Sequence, residues 1–131
     1  MHKINIKVRG YHLDMYQHVN NARYLEFLEE ARWHYIESKL DLLEWMKKDL
    51  GFAVVNINIS YRKPASLNQI IEINSKMSKI RRKSATIEQQ IYLQGTDILI
   101  AEAEVTFVIV NIKSGKAISL DGALKEILES F

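Results

Sequence analysis

The chain has 131 residues, 47% of them hydrophobic and 26% charged, the balance of an ordinary globular protein with enough chain for one cored domain over 1–131 and too little for two. A net charge of +2 spread along the sequence is too small to argue for nucleic acid as a partner, and the absence of cysteine removes disulfides, thiolate metal sites and a cysteine nucleophile together. "MHKINIKVRG" carries charge at every second or third position, and no later apolar run approaches the roughly 20 residues a membrane-spanning helix needs, so a cytoplasmic protein with no membrane span is expected.

Alternation marks the first strand, with Ile4, Ile6 and Val8 on one face, Asn5 and Lys7 on the other, and Gly10 ending it. From Asn21 to Ser38 the spacing turns helical. Tyr24, Leu25, Leu28, Ala31, Tyr35 and Ile36 form a stripe, and Glu26, Glu29, Glu30 and Glu37 fall mostly off it. A short helix is expected over 41–50, with Asp41 as N-cap and Gly51 as its stop. In "VVNINISYR" the residues Val55, Ile57, Ile59 and Tyr61 alternate with Asn56, Asn58, Ser60 and Arg62, the pattern of a strand with one buried face, and Lys63-Pro64 breaks it. Strands follow near 70–79, 84–94 and 98–112, separated by the basic turn "RRK" and by "QGTD". In the last, Leu99, Ala101, Ala103, Val105, Phe107 and Ile109 hold one parity, and "DGALKEILES" closes the chain as a helix. Trp33, Trp45 and Phe107 are expected to pack in the core.

Short connections make the consecutive strands antiparallel, which gives an α+β fold in which one long helix buries its stripe against a five-stranded sheet. One helix does not cover five strands, so a second subunit is expected over the remaining sheet, as a homodimer.

The chemistry gathers in "DMYQHVNNARYLEFLEE" (14 to 30). A lone aspartate between a strand and a helix is usually a turn residue. Here, however, Asn20 and Asn21 open the long helix a few residues after Asp14, where the first backbone N–H groups have no intrahelical partner and the helix dipole favours negative charge. A carboxylate one short loop from an oxyanion site suits hydrolysis of an activated acyl group such as a thioester, with Asp14 as general base or nucleophile. His18 would assist proton transfer or orient the loop through its backbone. His12 and His18 lack a third ligand of convincing spacing, so neither a metal nor a cofactor is expected. There is no GxSxG elbow or HExxH helix.

"VRGYHLDMYQHVNNARYLEFLEEARW" (8 to 33) resembles the N-terminal signature of the hotdog-fold acyl-CoA thioesterases, and "VNINISYRKPA" (55 to 65) resembles the central strand of the same family. The likeness is greatest to its bacterial long-chain branch, thioesterase III, and covers nearly the whole chain. It implies a sheet wrapped around the long helix, subunits paired into homodimers and often homotetramers, and an active site at the dimer interface. It also implies that Asp14 is the catalytic carboxylate and that the Asn21 N–H polarises the thioester carbonyl of a medium- to long-chain fatty acyl-CoA, as in β-oxidation. The CoA phosphates would then lie at the surface, where Arg62, Lys63, Arg81, Arg82 and Lys83 are candidates. Related thioesterases acting on acyl carrier protein carry a D-x-N-x-H pattern. Here Tyr16 takes the middle position between Asp14 and His18, which favours a CoA substrate. The alternatives are a non-catalytic acyl-thioester binding protein and a thioesterase for acyl carrier protein or aromatic acyl-CoA.

Overall fold

The computed structural model describes residues 1–131. Its elements are strand β1 (His2–Lys7), a 3-10 turn over Gly10–His12, helices α1 (Asn21–Glu37) and α2 (Leu42–Lys47), strands β2 (Leu50–Tyr61), β3 (Ile70–Ile80), β4 (Ala85–Leu93) and β5 (Leu99–Asn111), and helix α3 (Gly122–Glu129). The five strands form one sheet in the order β1-β3-β4-β5-β2, and every neighbouring pair is antiparallel. The expected α+β architecture is therefore the observed one, with α1 lying on one face of the sheet.

Period-two alternation places Ile71, Ile73 and Ser75 of β3, Ile87, Gln89 and Ile91 of β4, and Ala101, Ala103, Val105, Phe107 and Ile109 of β5 on the buried face beneath α1. Against them α1 buries Tyr24, Phe27, Leu28, Ala31, Arg32, Tyr35 and Ile36. The apolar contacts divide into two clusters. One surrounds Leu28, Phe27 and Ile73 near the start of α1; the other surrounds Tyr35, Ile87 and Phe107 near its end.

Gln89, only 1% exposed, stands on β4 between Ile91 of the first cluster and Ile87 of the second. Its amide donates to the Leu28 carbonyl and to Ser75 Oγ, both at 3.0 Å, and its oxygen accepts from Arg32 Nη1 at 3.0 Å. This polar tie joins helix to sheet in the middle of the core.

The stripe differs from the expected one at Leu25, which is 37% exposed, and includes Phe27 and Arg32 in addition. Trp45 and Phe107 are buried as expected, whereas Trp33 is half-exposed and donates its indole N–H to Glu29 Oε2 at 3.2 Å. The short helix ends before Gly51: Asp49 takes a left-handed φ of 60°, and the chain enters β2 at Leu50, five residues ahead of the strand start read from alternation. That reading failed because β2 carries a bulge. Val54 lies opposite Phe107 and Asn56 opposite Thr106, leaving Val55 as the extra residue. Ile57, Ile59 and Tyr61 do share the inner face with Val105, Ala103 and Ala101.

β2 is an edge strand, and residues 54–58 are exposed on both faces. α2 covers only its beginning, where Trp45 stacks on Phe52 with ring centroids 5.2 Å apart. Truncating Leu28, 1% exposed under α1, to Ala is expected to cost about 3 kcal/mol through lost burial and a residual cavity; equilibrium denaturation in urea measures it.

Candidate active site

The chain between β1 and α1 is fixed by backbone pairing on both sides. Leu13 bridges Val19 and His18 bridges Ser66, both antiparallel, while the Val19 N–H donates to Ala65 O at 2.9 Å and the Asn20 N–H to His12 O at 2.9 Å. Inside the bracket, Asp14 and His18 form a tight turn. The Asp14 N–H donates to His18 O at 2.8 Å, the Gln17 N–H donates to Asp14 O at 3.0 Å, and Gln17 takes a left-handed φ of 64°. Asp14 is half-buried. Its Oδ1 accepts the N–H of Tyr16 at 2.8 Å and, more weakly, that of His18 at 3.4 Å. Oδ2 has no protein partner. One carboxylate oxygen thus holds the turn and the other is free.

At the helix start the two asparagines separate in role. Asn20 is the N-cap: its side-chain oxygen accepts the Ala22 N–H at 2.9 Å and its carbonyl accepts the Arg23 N–H at 2.8 Å. The Asn21 N–H is left without a protein acceptor at the positive end of α1.

Asp14 and Asn21 line one cavity of about 240 Å³ together with His18, Val19, Tyr24, Tyr61, Arg62, Lys63 and Pro64. Tyr24 and Tyr61 complete it from the helix and from β2. Tyr61 donates its hydroxyl to the Asn21 carbonyl at 3.1 Å, and Tyr24 accepts the Ala65 N–H at 3.1 Å. Burial raises the Tyr24 hydroxyl pKa above its ordinary value; the Ala65 bond opposes this, and the nearby Tyr61 and Asp14 add to the rise. Tyr24 therefore remains a neutral phenol whose own proton has no protein acceptor. Both tyrosines read from sequence as members of apolar faces, and only their hydroxyls, which periodicity does not register, bring them into the site.

The His18 ring is exposed and makes no hydrogen bond, so what this residue contributes inside the protein is its backbone. His12 is buried, 4.8 Å from the Phe27 ring, and its Nδ1 accepts the Arg9 N–H at 2.8 Å. That bond uses the nitrogen lone pair a metal would need.

Of the five basic candidates, the structure brings Arg62 and Lys63 to the cavity, with Arg62 3.5 Å from Glu102. Arg81, Arg82 and Lys83 sit on the β3–β4 turn at the other end of the sheet. Ala85 beside that turn is level with Phe107 and Val54, whereas Tyr61 is level with Ala101 and Ile91, a separation of roughly 20 Å along β4 at about 3.3 Å per residue. Arg81 there donates to Thr86 Oγ1 at 2.9 Å.

Further along, α1 and β2 carry the part-exposed apolar residues Leu25, Trp33, Val54 and Ile57, an apolar seam between the two elements. A second cavity of about 270 Å³ lies there, bordered by Arg32, Glu29, Phe52 and Phe107. Arg32 is 8% exposed, and burial pulls its guanidinium pKa below the ordinary value, partly offset by Glu29. It remains a cation.

Burial and the positive Arg23 hold the His12 pKa below its ordinary value of 6.5, and His2 moves the same way through burial and His34. A histidine whose folded pKa lies below its unfolded one contributes stability that is complete above the unfolded value and is lost as pH falls through the folded value. The melting temperature should accordingly hold from about pH 8 to about pH 7 and fall on acidification below about 6.5, and His12→Asn, which keeps an acceptor for the Arg9 N–H, should flatten that fall in thermal scans.

The thioesterase-like superfamily model matches residues 8–128. The chain is 51% identical over 125 residues, 95% of its length and 94% of the relative's, to the long-chain acyl-CoA thioesterase FadM of Escherichia coli (strain K12). It is 26% identical over 119 residues, covering 86% and 88% of the two chains, to the acyl-CoA thioesterase YbgC of Helicobacter pylori. The crystal structure described as "YbaW Probable Thioesterase from Escherichia coli" superposes with a TM-score of 0.91 at 49% identity, over 98% of this chain and 97% of that one. With the family's model spanning the turn and the helix that carry Asp14 and Asn21, and with the sheet and long helix shared with a close relative, this chain belongs to the thioesterase-like superfamily and has its hotdog fold.

Proposed function

We propose that this protein is an acyl-CoA thioesterase that hydrolyses medium- to long-chain fatty acyl-CoA, with Asp14 as the catalytic carboxylate and the Asn21 N–H as the oxyanion donor. The observation that carries the reading is the pairing of two unused groups on one cavity wall: Oδ2 of a carboxylate whose other oxygen is pinned by backbone N–H groups, and the one amide of the first turn of α1 that capping leaves free.

With the thioester carbonyl oxygen on the Asn21 N–H, Oδ2 takes a proton from water as the water oxygen bonds to the carbonyl carbon. The resulting oxyanion is stabilised by the amide, a contact typically worth about 2.7–4 kcal/mol. Collapse breaks the C–S bond, the acid departs, and the proton passes to the CoA thiolate. Direct attack by Oδ2 to give an anhydride uses the same free oxygen, and a single turnover in heavy-oxygen water, followed by mass analysis of Asp14, separates the two routes. His18 borders the same cavity, and its contribution is the backbone carbonyl and N–H that hold the Asp14 turn. The apolar seam between α1 and β2 takes the acyl chain. FadM, at 51% identity, bears the name of a long-chain acyl-CoA thioesterase, which supports the substrate class.

The active form is a homodimer, with a homotetramer as its further assembly. β2 presents an unpaired edge with Val54 46% and Val55 58% exposed, a surface that invites a second strand. Antiparallel β2–β2 pairing covers the seam and reverses the sheet end to end, so the partner's Arg81, Arg82 and Lys83 come to the same end as Asp14, Arg62 and Lys63. The CoA phosphates would lie among these cations.

Asp14→Asn retains an acceptor for the Tyr16 N–H and removes the charge. Turnover of palmitoyl-CoA should fall at least about a hundredfold with the fold intact, and unchanged thiol release would remove Asp14 from the mechanism. Ile57→Lys puts a charge into the β2 seam and should shift the wild-type dimer mass toward the monomer in light scattering; a wild-type protein that is already monomeric would overturn the dimer.

A further inference from the structure

The apolar seam between α1 and β2 carries two charged groups, Arg32 and Glu29, on one cavity. Arg32 is buried to 8% exposure and borders the cavity of about 270 Å³, yet its one hydrogen bond is from Nη1 to the neutral amide oxygen of Gln89. A guanidinium has five N–H donors, and those that Gln89 does not take reach no other protein acceptor and stay open to the cavity. Helix-to-sheet attachment does not account for this, because Gln89 already reaches Leu28 O and Ser75 Oγ without the arginine. Glu29, one turn earlier, borders the same cavity; its Oε2 accepts from the Trp33 indole, and its other oxygen has no partner. The remaining wall is apolar, from Phe52, Val54 and Phe107.

Donors without acceptors and an acceptor without a donor therefore face one void, and a hydroxyl is the neutral group that satisfies both. A terminal carboxylate would meet repulsion from Glu29. A bare methylene would strip Arg32 of water and give it nothing. Arg32 lies eleven residues beyond Asn21 on α1, about 16 Å at roughly 1.5 Å per residue. An extended alkyl chain advances slightly less per carbon than a helix does per residue, so about a dozen carbons separate the carbonyl from this point. The void is not the end of the path. Trp33 and Phe52 are shared with a larger cavity of about 750 Å³ whose lining includes Leu42, Met46 and Ile112, room for an apolar tail beyond the polar spot.

We propose that Arg32 and Glu29 form a recognition site for a mid-chain hydroxyl, Arg32 donating and Glu29 accepting, so that the protein prefers long-chain acyl thioesters hydroxylated near the middle of the chain over unsubstituted ones. This rests on the thioesterase reading above and names the substrate class for the same seam.

The test measures kcat and KM by thiol release for octadecanoyl-CoA, for the same thioester hydroxylated on about the twelfth carbon, and for the isomer hydroxylated next but one to the carbonyl. The wild-type protein should show kcat/KM for the mid-chain isomer about tenfold above the unsubstituted chain, the size of one charge-assisted hydrogen bond, and no such gain for the other isomer. Arg32→Met and Glu29→Gln should each bring that ratio to about one, with Arg32→Lys retaining part of it. Equal values for the wild-type protein, or a ratio that survives both substitutions, would overturn the proposal. Should Arg32→Met fail to fold, the exposed Glu29→Gln carries the comparison alone. Absence of hydrolysis for all three thioesters would instead strike the thioesterase reading, and calorimetric binding of the mid-chain isomer to the wild-type and Glu29→Gln proteins would still decide whether the hydroxyl is recognised.

Discussion

Burial of one face of α1 on the sheet is the constraint from which the rest of this structure follows. The helix spans seventeen residues, and the sheet it must seal is five strands wide. Approaching β1 and β3 most closely and packing its side chains onto β4 and β5, α1 leaves the middle of β2 uncovered, with α2 at one end of that strand and the Tyr61 contact to α1 at the other. The uncovered width becomes a seam, and the seam runs along the helix from its first residue. The same packing that makes the core therefore sets an apolar path at the foot of a helix N-terminus. Because α1 is held by side chains from Tyr24 to Ile36, its first turn needs no packing of its own and is free to present an amide.

Two kinds of polar group sit on this framework, and their energetics differ. In the turn before α1, the bonds from Tyr16 and His18 to Asp14 Oδ1 are charge-assisted, and they fix a carboxylate beside the helix mouth without neutralising it. The tie from Gln89 to Leu28, Ser75 and Arg32 lies instead in the middle of the core, where each unmade bond would cost about 1–3 kcal/mol. The exposed ion pairs, such as Arg23 with Glu26 and Lys47 with Glu44, are of the class that contributes about 0–1 kcal/mol and decide nothing about the fold. Polar specificity in this molecule is concentrated at Asp14, at Asn21 and around Gln89.

Legibility in the sequence followed the same division. Alternation in β3, β4 and β5 and the stripe in α1 are periodic because one face is buried, so those elements could be read directly, as could the Asp14 turn ahead of a helix opened by two asparagines. Alternation reads β2 five residues short because its bulge at Val55 shifts the parity midway, and a period of two does not accommodate an extra residue. Leu25 looked like core because its spacing fits the stripe, but it lies on the β2 side, where the sheet is uncovered. Arg32 escapes a periodic reading for the opposite reason: a charged residue within an apolar stripe reads as its edge, and only Gln89, fifty-seven residues away, holds it inside. The basic residues divided as a linear reading cannot anticipate, since Lys63 follows β2 into the cavity while Arg81 turns at the far end of β4.

The distinction between Asn20 and Asn21 shows how little separates a capping residue from one whose amide stays free. Identical side chains stand side by side, and either could cap. The capping oxygen comes from Asn20, whose extended backbone, with ψ of 137°, lets its side chain turn back to the Ala22 N–H. Its carbonyl meanwhile receives the Arg23 N–H. Those two bonds consume the second and third amides of α1, and the first has no carbonyl four residues back to reach, because the chain there is folded into the Asp14 turn. The Asn21 amide is thus left free by the same cap that starts the helix. Removing the cap would release more donors but lose their aim, since an oxyanion is stabilised by one amide in a fixed direction more than by several in motion. That the aimed amide opens onto the cavity Asp14 shares is a property of the loop, held at both ends by Val19 to Ala65 and Asn20 to His12. The stability of that bracket, more than the identity of any side chain at position 21, sets how firmly the free amide is held toward that cavity.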